Sequence, residues 1–419
     1  MILQLLWESS GDFGNNFLMT YHTLDSLPLL QSRQEGLRVL VRVDLNVPVH
    51  DGKVTDSTRV ERLVPTIKEL TNMGCKVVLL SHFGRPNGVV REEMSLEPLV
   101  SAISNKLNSE LTFAKDCIGR DTLNAVNSLA PGDIILLENL RFHSGEESND
   151  QDFVRALADL GDLFVNDAFS AAHRAHASTA GLARCLPSAA GRLMQAELEA
   201  LDAALGNPLR PVAAIVGGAK VSTKLDLLTN LVKKVDRLAI GGAMANTFLY
   251  ALGTDIGASL CEKELADTAR LVLAAADEAG SKIILPSDVV IASELKEGAQ
   301  CQTVKIAAVP KDMMILDIGE ASAIALSESL KECRTLLWNG PMGAFEISPF
   351  DKGTNMVARA AAELTQSNNL LTIAGGGDTV AALSAAGVVS DFSYVSTAGG
   401  AFLEWLEGQE LPGVVALNC

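Results

Sequence analysis

Basic side chains recur near the ends of predicted strands throughout this sequence. Arg42 and His82 lie near the ends of two apolar runs in the first half, and Lys220 follows another run in the second half. Arginine donates two parallel hydrogen bonds to a carboxylate or a phosphate, and lysine supplies a compact positive charge. Because the formal net charge of the chain is −17, cations gathered at these positions predict a site for a small polyanion.

The first predicted strand extends from Leu37 to Val49 and carries polar residues at alternate positions near its end. Arg42, Asp44 and Asn46 therefore share one face of this strand. That face either binds a ligand at the carboxyl end of the strand or is simply the solvated face of a surface strand. The strand alone leaves both interpretations open.

A helix is predicted from Ser57 to Met73, capped by Ser57 or Thr58. Arg59 lies in its first turn, where a cation opposes the helix dipole, and this placement hints at a bound anion. More candidates follow the next predicted strands: His82, Phe83, Gly84, Arg85, Arg141, His173 and Arg174. Turns with solvated polar residues would contain the same residue types. However, the carboxyl ends of parallel strands meet at one edge of a sheet, so these side chains are predicted to converge.

The second half repeats the alternation of strands and helices, but glycines follow most of its strands. Gly217 and Gly218 precede Lys220 and Lys224, which are spaced i and i+4. We expect both lysines on one face of a nascent helix, where their repulsion favours an anion between them, although surface lysines share this spacing. The glycines predict a pocket whose backbone comes close to a phosphorylated ligand.

The segment from Leu370 to Leu383 joins an apolar strand to a run of small residues through Gly375–Gly377. Backbone N–H groups in such a turn, at the positive end of a helix dipole, cradle phosphate. A tight turn with Asp378 or Thr379 as a plain helix cap fits the residues equally well. The segment matches neither G-x-G-x-x-G nor Walker A, so a nucleotide site here is of another kind.

Composition favours an α/β protein of two domains. The chain has 419 residues, of which 48% are hydrophobic and 5% aromatic, and it is too long for one ordinary core. Its negative charge argues against nucleic-acid binding and favours a cytoplasmic protein. Seven scattered cysteines without a C-x-x-C pair indicate reduced thiols rather than disulfides or a zinc site. No apolar run of the sequence reaches membrane-spanning length.

Two segments bear on the domain organisation. Residues 1–18 have no clear hydrophobic period and are expected to be a poorly ordered extension, an upstream start, or a small partner-binding tail. The amphipathic segment from Gly191 to Gly206 is expected to be a helix with Leu193, Leu198 and either Leu201 or Ala204 on its apolar side. This helix is predicted to join two domains, although an ordinary surface helix has the same pattern.

Seven motifs, in order along the chain, resemble those of the phosphoglycerate kinase family. They are RVDLNVP at 42–48, SHFGRP at 81–86, LLENLRFH at 136–143, NDAFSAAHRAH at 166–176, GGAKVSTK at 217–224, WNGPMGAFE at 338–346 and GGGDT at 375–379. The resemblance covers residues 19–419 and implies two doubly wound, Rossmann-like parallel-sheet domains joined by a hinge. The expected bounds are 19–190 for the first domain, with 405–419 packing back on it, 191–206 for the interdomain helix and 207–404 for the second domain.

The resemblance also implies which residues bind each substrate. The 3-phosphoglycerate site is expected to contain Arg42, Asp44, Asn46, Arg59, His82, Phe83, Gly84, Arg85, Arg141, His173 and Arg174. The nucleotide site is expected to contain Gly218, Lys220, Lys224, Gly241, Gly242, Asn339, Glu346, Gly375, Gly376, Gly377, Asp378 and Thr379. Within it, Glu346 would hold the ribose and Asp378 the Mg²⁺ on the nucleotide phosphates. The expected catalytic residues are Arg59, Lys220, Gly376 and Gly399. Ala398 stands where the family usually has another glycine.

The implied reaction is reversible phosphoryl transfer from Mg²⁺-bound ATP to the carboxylate of 3-phosphoglycerate, which gives ADP and 1,3-bisphosphoglycerate. Glycolysis runs it in the ATP-forming direction. A carboxylate is already a nucleophile, so we expect no general base. Arg59 and Lys220 would stabilise the transferring group from opposite sides after hinge closure. The expected protein is a cytoplasmic monomer that binds neither nucleic acid nor membrane.

Two alternatives belong to other classes of protein. A nucleotide-dependent dehydrogenase requires a G-x-G-x-x-G turn with an acidic residue about 20 positions later, and the sequence lacks that turn. A non-catalytic protein that closes on an anion would keep the arginines, but it would not need Lys220, Lys224 and the GGGDT turn.

Overall fold

The computed structural model describes residues 21–32, 34–50 and 53–418. These residues form two α/β units, each built on a six-stranded sheet in which neighbouring strands are parallel. The fold class predicted from the sequence is therefore confirmed. The extension predicted at residues 1–18 lies outside the described residues.

The strands of the first unit are β1 (Arg38–Arg42), β2 (Val49–His50), β3 (Lys53–Val54), β4 (Lys76–Leu80), β5 (Leu111–Ala114), β6 (Ile134–Leu137), β7 (Leu163–Asn166) and β8 (Ser188–Ala190). The sheet has the order β5–β6–β4–β1–β7–β8, while β2 and β3 pair with each other. The prediction of one strand from Leu37 to Val49 is wrong, because β1 ends at Arg42. The Asp44 carboxylate accepts the Asn46 N–H at 2.9 Å, and this local turn takes the chain out of the sheet.

The second unit contains β9 (Val212–Val216), β10 (Arg237–Ile240), β11 (Lys282–Ile284), β12 (Asp288–Ala292), β13 (Cys301–Lys305), β14 (Met314–Ile318), β15 (Thr335–Asn339), β16 (Leu371–Ala374) and β17 (Tyr394–Val395). Its main sheet has the order β11–β10–β9–β15–β16–β17. The chain therefore changes direction across the sheet between β9 and β15, where doubly wound folds bind ligands. A separate antiparallel sheet, β13–β12–β14, was not predicted.

The described α-helices are Pro28–Gln31, Thr58–Asn72, Val100–Leu107, Arg120–Ser128, Ser144–Glu147, Gln151–Ala158, Leu182–Cys185, Arg192–Leu201, Leu225–Leu231, Gly242–Ala251, Ala266–Ala279, Glu320–Leu330, Lys352–Gln366, Gly377–Ala386, Gly399–Leu406 and Pro412–Val415. None of them is long and apolar enough to cross a membrane. Ser57 occupies the N-cap position of Thr58–Asn72, as one of the two predicted caps, but its side chain makes no capping hydrogen bond, and the Asp56 carboxylate instead accepts the Thr58 N–H at 2.9 Å.

One apolar cluster connects the two sheets through the segment predicted as a helix from Gly191 to Gly206. That segment forms the α-helix Arg192–Leu201, and a π-helical turn follows it over Asp202–Gly206. Leu198 and Leu201 pack into a cluster that contains residues of both sheets, whereas Leu193 is half-buried against a different cluster on the first sheet. The helix is therefore a packed connection rather than a surface element.

The two ends of the described chain meet on the first unit. Tyr21 and Asn418 form an antiparallel bridge. Close by, the Gly413 N–H donates a hydrogen bond of 2.8 Å to the carbonyl oxygen of Ala172. The helix Pro412–Val415 thus packs on the first unit after the chain has passed through the second.

Candidate active site

Arg42 is the buried centre of the basic cluster at the carboxyl ends of the first sheet. Only 1% of the residue is exposed, so the prediction of a strand face shared with Asp44 and Asn46 does not describe its position. Its Nε donates to Ser178 Oγ at 2.9 Å, and its Nη1 donates to the carbonyl oxygen of Val43 at 2.5 Å. Its Nη2 lies 2.9 Å from His82 Nδ1. Arg42 therefore fixes the positions of other groups in the cluster.

Glu146 supplies a buried negative charge behind Arg42. Its carboxylate accepts hydrogen bonds from the Ser178 hydroxyl at 2.6 Å and from the Ser178 N–H at 3.0 Å. Its Oε1 also lies 3.8 Å from His176 Nδ1. Burial raises the pKa of Glu146, against the opposing effect of the Arg42 charge. Ser178 thus links the guanidinium to the carboxylate, and sequence analysis identified neither Glu146 nor Ser178.

Asp44 and Arg59 form an ion pair beside this cluster. Asp44 Oδ2 lies 2.9 Å from Arg59 Nη1 and accepts a hydrogen bond of 2.6 Å from Ser170 Oγ. Arg59 Nη1 also donates to the carbonyl oxygen of Asn46 at 2.8 Å. The Asp44 carboxylate thus compensates the unfavourable position of Arg59 at the start of its helix. About a third of the Arg59 side chain, 34%, stays exposed.

Asn139 organises the loop that follows β4. Its Oδ1 accepts from the N–H groups of Phe83 at 3.2 Å and Arg141 at 3.1 Å, and its Nδ2 donates to the Phe83 carbonyl oxygen at 2.8 Å. Gly84 then receives a hydrogen bond from Arg141 Nη1 at 2.8 Å and donates its N–H to Asn46 Oδ1 at 3.1 Å. These bonds bring four predicted residues together on a frame set by Asn139, which sequence analysis missed.

Arg85, Arg174 and His173 complete the predicted set in different ways. Arg85 and Arg174 are exposed, and their side chains form no hydrogen bond or ion pair with other described residues. His173 instead faces the second unit, because its Nε2 lies 3.7 Å from where a Cβ on Gly400 would stand. The arginines are thus open to a ligand, while His173 lies at the contact between the units.

Burial and the positive charge of the cluster lower the pKa of two of its histidines. Burial lowers the pKa of His82 well below its ordinary value, and the charges of Arg42 and Arg141 lower it further. The same causes, with Arg141 ahead of Arg42, lower the pKa of His176 to about 4. Both imidazoles are therefore neutral at neutral pH, and the arginines carry the positive charge. His176 was not among the predicted site residues.

In the second unit, Lys224 closes the crevice between β9 and β15. Its Nζ donates to the carbonyl oxygen of Gly217 at 2.7 Å, to that of Asn339 at 3.1 Å, and to Asn339 Oδ1 at 2.6 Å. The predicted helical face shared with Lys220 is wrong, because the helix begins only at Leu225. Hydrogen bonds to the carbonyl oxygens at the strand ends hold the Lys224 side chain across the crevice. Burial lowers the pKa of its ammonium group to about 8.

The glycines around this crevice allow backbone segments to touch. A Cβ on Gly217 would lie 1.8 Å from the carbonyl oxygen of Pro341. Gly242 has a φ of +64°, and its Cβ would lie 2.6 Å from the Gly218 carbonyl oxygen. A Cβ on Gly241 would lie 2.6 Å from the sulfur of Met342. Close packing therefore requires glycine at these positions whether or not a ligand binds.

The turn Gly375–Thr379 joins β16 to the helix Gly377–Ala386. Gly376 has a φ of +96° and Asn339 Nδ2 donates to the Gly375 carbonyl oxygen at 2.8 Å. Thr379 is buried, and its Oγ1 accepts the Gly340 N–H at 2.7 Å. No described side chain caps this helix, so the interpretation of Asp378 or Thr379 as a plain cap is wrong. The first N–H groups of the helix therefore have no side-chain cap among the described residues.

Three predicted residues present charged groups to solvent around the crevice. Lys220, Glu346 and Asp378 are exposed, and none of their side chains forms a hydrogen bond or ion pair with another described residue. Gly399, with a φ of +29°, begins the helix Gly399–Leu406 on the same unit. The crevice thus combines an open helix N-terminus with an uncommitted cation and two carboxylates.

Known proteins resemble the chain along nearly its whole length. The family model described as phosphoglycerate kinase matches residues 30–409. The phosphoglycerate kinase of Rhizobium meliloti (strain 1021) is 61% identical over 400 residues, which cover 96% of this chain and 99% of that protein. That of Methylorubrum extorquens (strain PA1) is 60% identical over 95% of this chain and 98% of that protein. The chain belongs to the phosphoglycerate kinase family.

Solved phosphoglycerate kinases share its fold. The structure of the enzyme from Coxiella burnetii has a TM-score of 0.87 and 42% identity, and the match covers 95% of this chain and 98% of that one. The structure from Pyrococcus horikoshii OT3 has a TM-score of 0.76 and 32% identity, over 91% of this chain and 96% of that one. The family predicted from the seven motifs is confirmed, and with it the phosphotransferase class. The dehydrogenase and the non-catalytic binding protein find no support.

In this member of the family, residues outside the motifs connect the two units. Arg62 Nη2 donates to the carbonyl oxygen of Val395 at 3.0 Å, and Glu197 Oε1 accepts from Ser396 Oγ at 3.1 Å. Arg62 and Glu197 line one small cavity together with Arg59. Arg62 lies one turn after Arg59 on the same helix, and that spacing was the only sequence signal for its position.

Proposed function

We propose that this protein catalyses the reaction of its family, reversible phosphoryl transfer between ATP and the carboxylate of 3-phosphoglycerate. The observation that carries the proposal is the pairing of two sites with different chemistry. One is a cluster of cations at the strand ends of the first unit. The other is a glycine-lined crevice with an open helix N-terminus on the second unit. A small polyanion suits the first site and a nucleotide suits the second.

We assign the residues predicted for 3-phosphoglycerate to that substrate. Arg85 and Arg174 are exposed and unpaired among the described residues, so they suit direct contact with its anionic groups. Arg42 is buried and already hydrogen-bonded, so its part is to hold the loop of His82 and to add positive potential. Arg141 is bonded to Gly84 at 2.8 Å and supports the same loop.

The nucleotide is assigned to the crevice of the second unit. The backbone N–H groups at Gly376 and Gly377 suit its phosphates, Glu346 suits the ribose, and Gly241 and Gly242 suit the adenine. Asp378 is an exposed carboxylate without a partner among the described residues, at the start of a helix and beside the glycine turn. Magnesium prefers such oxygen ligands, so Asp378 fits the ion that neutralises charge on the nucleotide phosphates.

The proposed mechanism relies on position and charge. The acceptor carboxylate is itself the nucleophile, so no side chain has to remove a proton. Arg59 of the first unit and Lys220 of the second would stabilise the transferring phosphoryl group from either side. Gly376, which precedes the helix Gly377–Ala386, and Gly399, which begins the helix Gly399–Leu406, would add backbone donors. Closure of the units around the hinge would bring these groups together and exclude water.

The finer expectations from sequence remain part of this proposal. The domain bounds stay at 19–190, 191–206 and 207–404, with 405–419 packing on the first domain. The protein is proposed to act as a monomer in the cytoplasm without nucleic-acid partners, consistent with its net charge of −17. Sedimentation of the purified protein tests the monomer directly, and a stable dimer would contradict it.

A coupled assay tests the reaction. Purified protein is incubated with MgATP and 3-phosphoglycerate, and the acyl phosphate is trapped with hydroxylamine. We expect product only when Mg²⁺ and both substrates are present, and we expect Lys220→Ala to fold normally but form very little. Folded wild-type protein that forms no acyl phosphate would contradict the proposed function.

A further inference from the structure

Asp116, Cys117 and His143 form a cluster outside the substrate sites. Their potential ligand atoms all lie within 4.8 Å of one another. Cys117 is buried, with 1% of the residue exposed, whereas Asp116 and His143 reach the surface. His143 Nε2 lies 2.7 Å from Asp116 Oδ1. A thiol, an imidazole and a carboxylate therefore converge on one point that solvent can reach from one side.

Neighbouring strands of the first sheet deliver these three side chains to the same place. Ala114, the last residue of β5, pairs in register with Leu137, the last residue of β6. Asp116 and Cys117 lie in the loop after β5, and His143 follows the short turn after β6. Because both loops leave the sheet at the same level, residues distant in sequence become neighbours.

Other contacts hold the cluster in this arrangement. The Phe153 ring stacks on His143 with 5.2 Å between ring centroids. On the other loop, Thr122 Oγ1 donates to the carbonyl oxygen of Asp116 at 3.1 Å. The Asp116 Oδ1 atom also accepts the Cys117 N–H at 2.7 Å, whereas Asp116 Oδ2 forms no hydrogen bond with another described residue. These contacts hold the three side chains near one another in the absence of a ligand.

The electrostatic environment of the cluster is negative. The carboxylates of Asp116, in the cluster, and of the buried Glu146 both add negative charge around the Cys117 thiol. A bound cation would offset these charges and favour the thiolate, which is the form that coordinates metals. Lys115 and Arg120, the cations that flank Asp116 and Cys117 in sequence, are exposed, while Arg141 contacts Gly84 and Glu147.

We propose that Asp116, Cys117 and His143 bind a divalent transition-metal ion of the zinc class, with water as a fourth ligand. Zinc–ligand bonds of about 2.0–2.3 Å put tetrahedral ligand atoms roughly 3.5 Å apart, a modest contraction of the observed cluster. The direct contact between His143 and Asp116 opens as the metal comes between them. The soft thiolate favours Zn²⁺ or Co²⁺ over Mg²⁺, so this site differs from the proposed nucleotide-bound magnesium site.

Binding of cobalt tests the proposal, because Co²⁺ absorbs light through a thiolate charge-transfer band. The full chain, without nucleotide, is titrated with CoCl₂ and then with ZnCl₂. We expect a thiolate band that Zn²⁺ removes and excess Mg²⁺ does not. We also expect Zn²⁺ to raise the Tm, since it binds the folded state preferentially.

Single-ligand variants identify the site. Cys117→Ser, His143→Gln and Asp116→Asn should each weaken metal binding at least about tenfold and lose most of the Tm increase. Cys75→Ser is the matched control, because Cys75 is equally buried but lies in another cluster. The surface variant His143→Gln keeps the test valid if the buried serine disturbs folding. A missing thiolate band, or unchanged affinity in His143→Gln and Asp116→Asn, would overturn the proposal.

Discussion

Arg59 and Arg62 lie one turn apart on the helix Thr58–Asn72, yet their guanidinium groups have different partners. Arg59 bonds to Asp44 of its own unit at 2.9 Å, whereas Arg62 donates to the Val395 carbonyl oxygen of the other unit at 3.0 Å. One helix thus carries a cation assigned to chemistry and another that connects the units. Substitutions should separate these two roles.

Arg59→Ala should lower kcat at least about 100-fold, because a donor to the transferring group is lost from the transition state. The KM for ATP should change little, since the nucleotide is assigned to the other unit. Steady-state kinetics with both substrates measures both effects. Lys68→Ala, an exposed cation on the same helix, is the control and should match the wild type. Weaker ATP binding with unchanged kcat would show that Arg59 has been assigned wrongly.

Lys224 should make nucleotide binding depend on pH. Burial lowers the pKa of its ammonium group to about 8, so the free protein loses this charge as the pH rises through that value. An anionic nucleotide favours the charged form, and MgADP affinity should therefore fall above about pH 8. Calorimetric titration across this range measures the fall.

Lys224→Met supplies the comparison for this pH dependence. The variant should bind MgADP more weakly at neutral pH but should lack the additional alkaline decrease. If Lys224→Met shows the same decrease as the wild type, another group is responsible.

At the scale of elements, periodic patterns predicted what depends on local sequence. The helix predicted from Ser57 to Met73 is observed as Thr58–Asn72, because its apolar residues repeat with helical spacing. The strand predicted from Leu37 to Val49 was too long, because alternation continues past the point where Asp44 turns the chain. The antiparallel sheet β13–β12–β14 was missed, because its middle strand, β12, does not alternate between polar and apolar residues.

The motifs predicted which residues form the site, but they did not predict the residues that hold those side chains in place. Glu146 and Ser178 hold Arg42, and Asn139 holds the loop of Phe83, through contacts between distant parts of the chain. Their roles depend on burial, and neither residue type nor spacing reveals that a polar group is buried. A buried polar group without hydrogen-bond partners is costly, so such supports form only with the complete fold.

Gly217→Ala should destabilise the second unit by about 3 kcal/mol or more, because its Cβ would lie 1.8 Å from a backbone oxygen of Pro341. The loops after β9 and β15 would have to separate, and the crevice with them. Gly377→Ala is the matched control at the same site, since a Cβ there meets no atom within 4 Å. Thermal unfolding should show a large decrease only for Gly217→Ala, and equal stability of both variants would contradict this account.

At the scale of the whole molecule, Glu197 connects the helix between the units to the second unit at Ser396. Burial raises the pKa of Glu197 from 4.5 to about 7. A carboxyl group with a raised pKa contributes stability that is fully present below its unfolded pKa and is lost as the pH rises through its folded pKa. The wild type should therefore lose stability from this residue between about pH 4.5 and about pH 7.

Glu197→Gln should remove that loss, because an amide does not titrate. The Tm of the variant relative to the wild type should rise between about pH 4.5 and about pH 7. Glu199→Gln, an exposed change on the same helix, should stay parallel to the wild type. Thermal unfolding of the three proteins across this range is the measurement. A constant difference between Glu197→Gln and the wild type would contradict the titration of Glu197 in this range.

The pairing of Tyr21 with Asn418, and of Ala172 with Gly413, bears on how the chain folds during synthesis. A ribosome releases the first unit long before it makes the helix Pro412–Val415, which covers that unit. The side chains of Phe169 and Ala172 are therefore fully buried only after almost the whole chain has been synthesised. The first unit must either tolerate that exposed apolar surface or be shielded until translation ends.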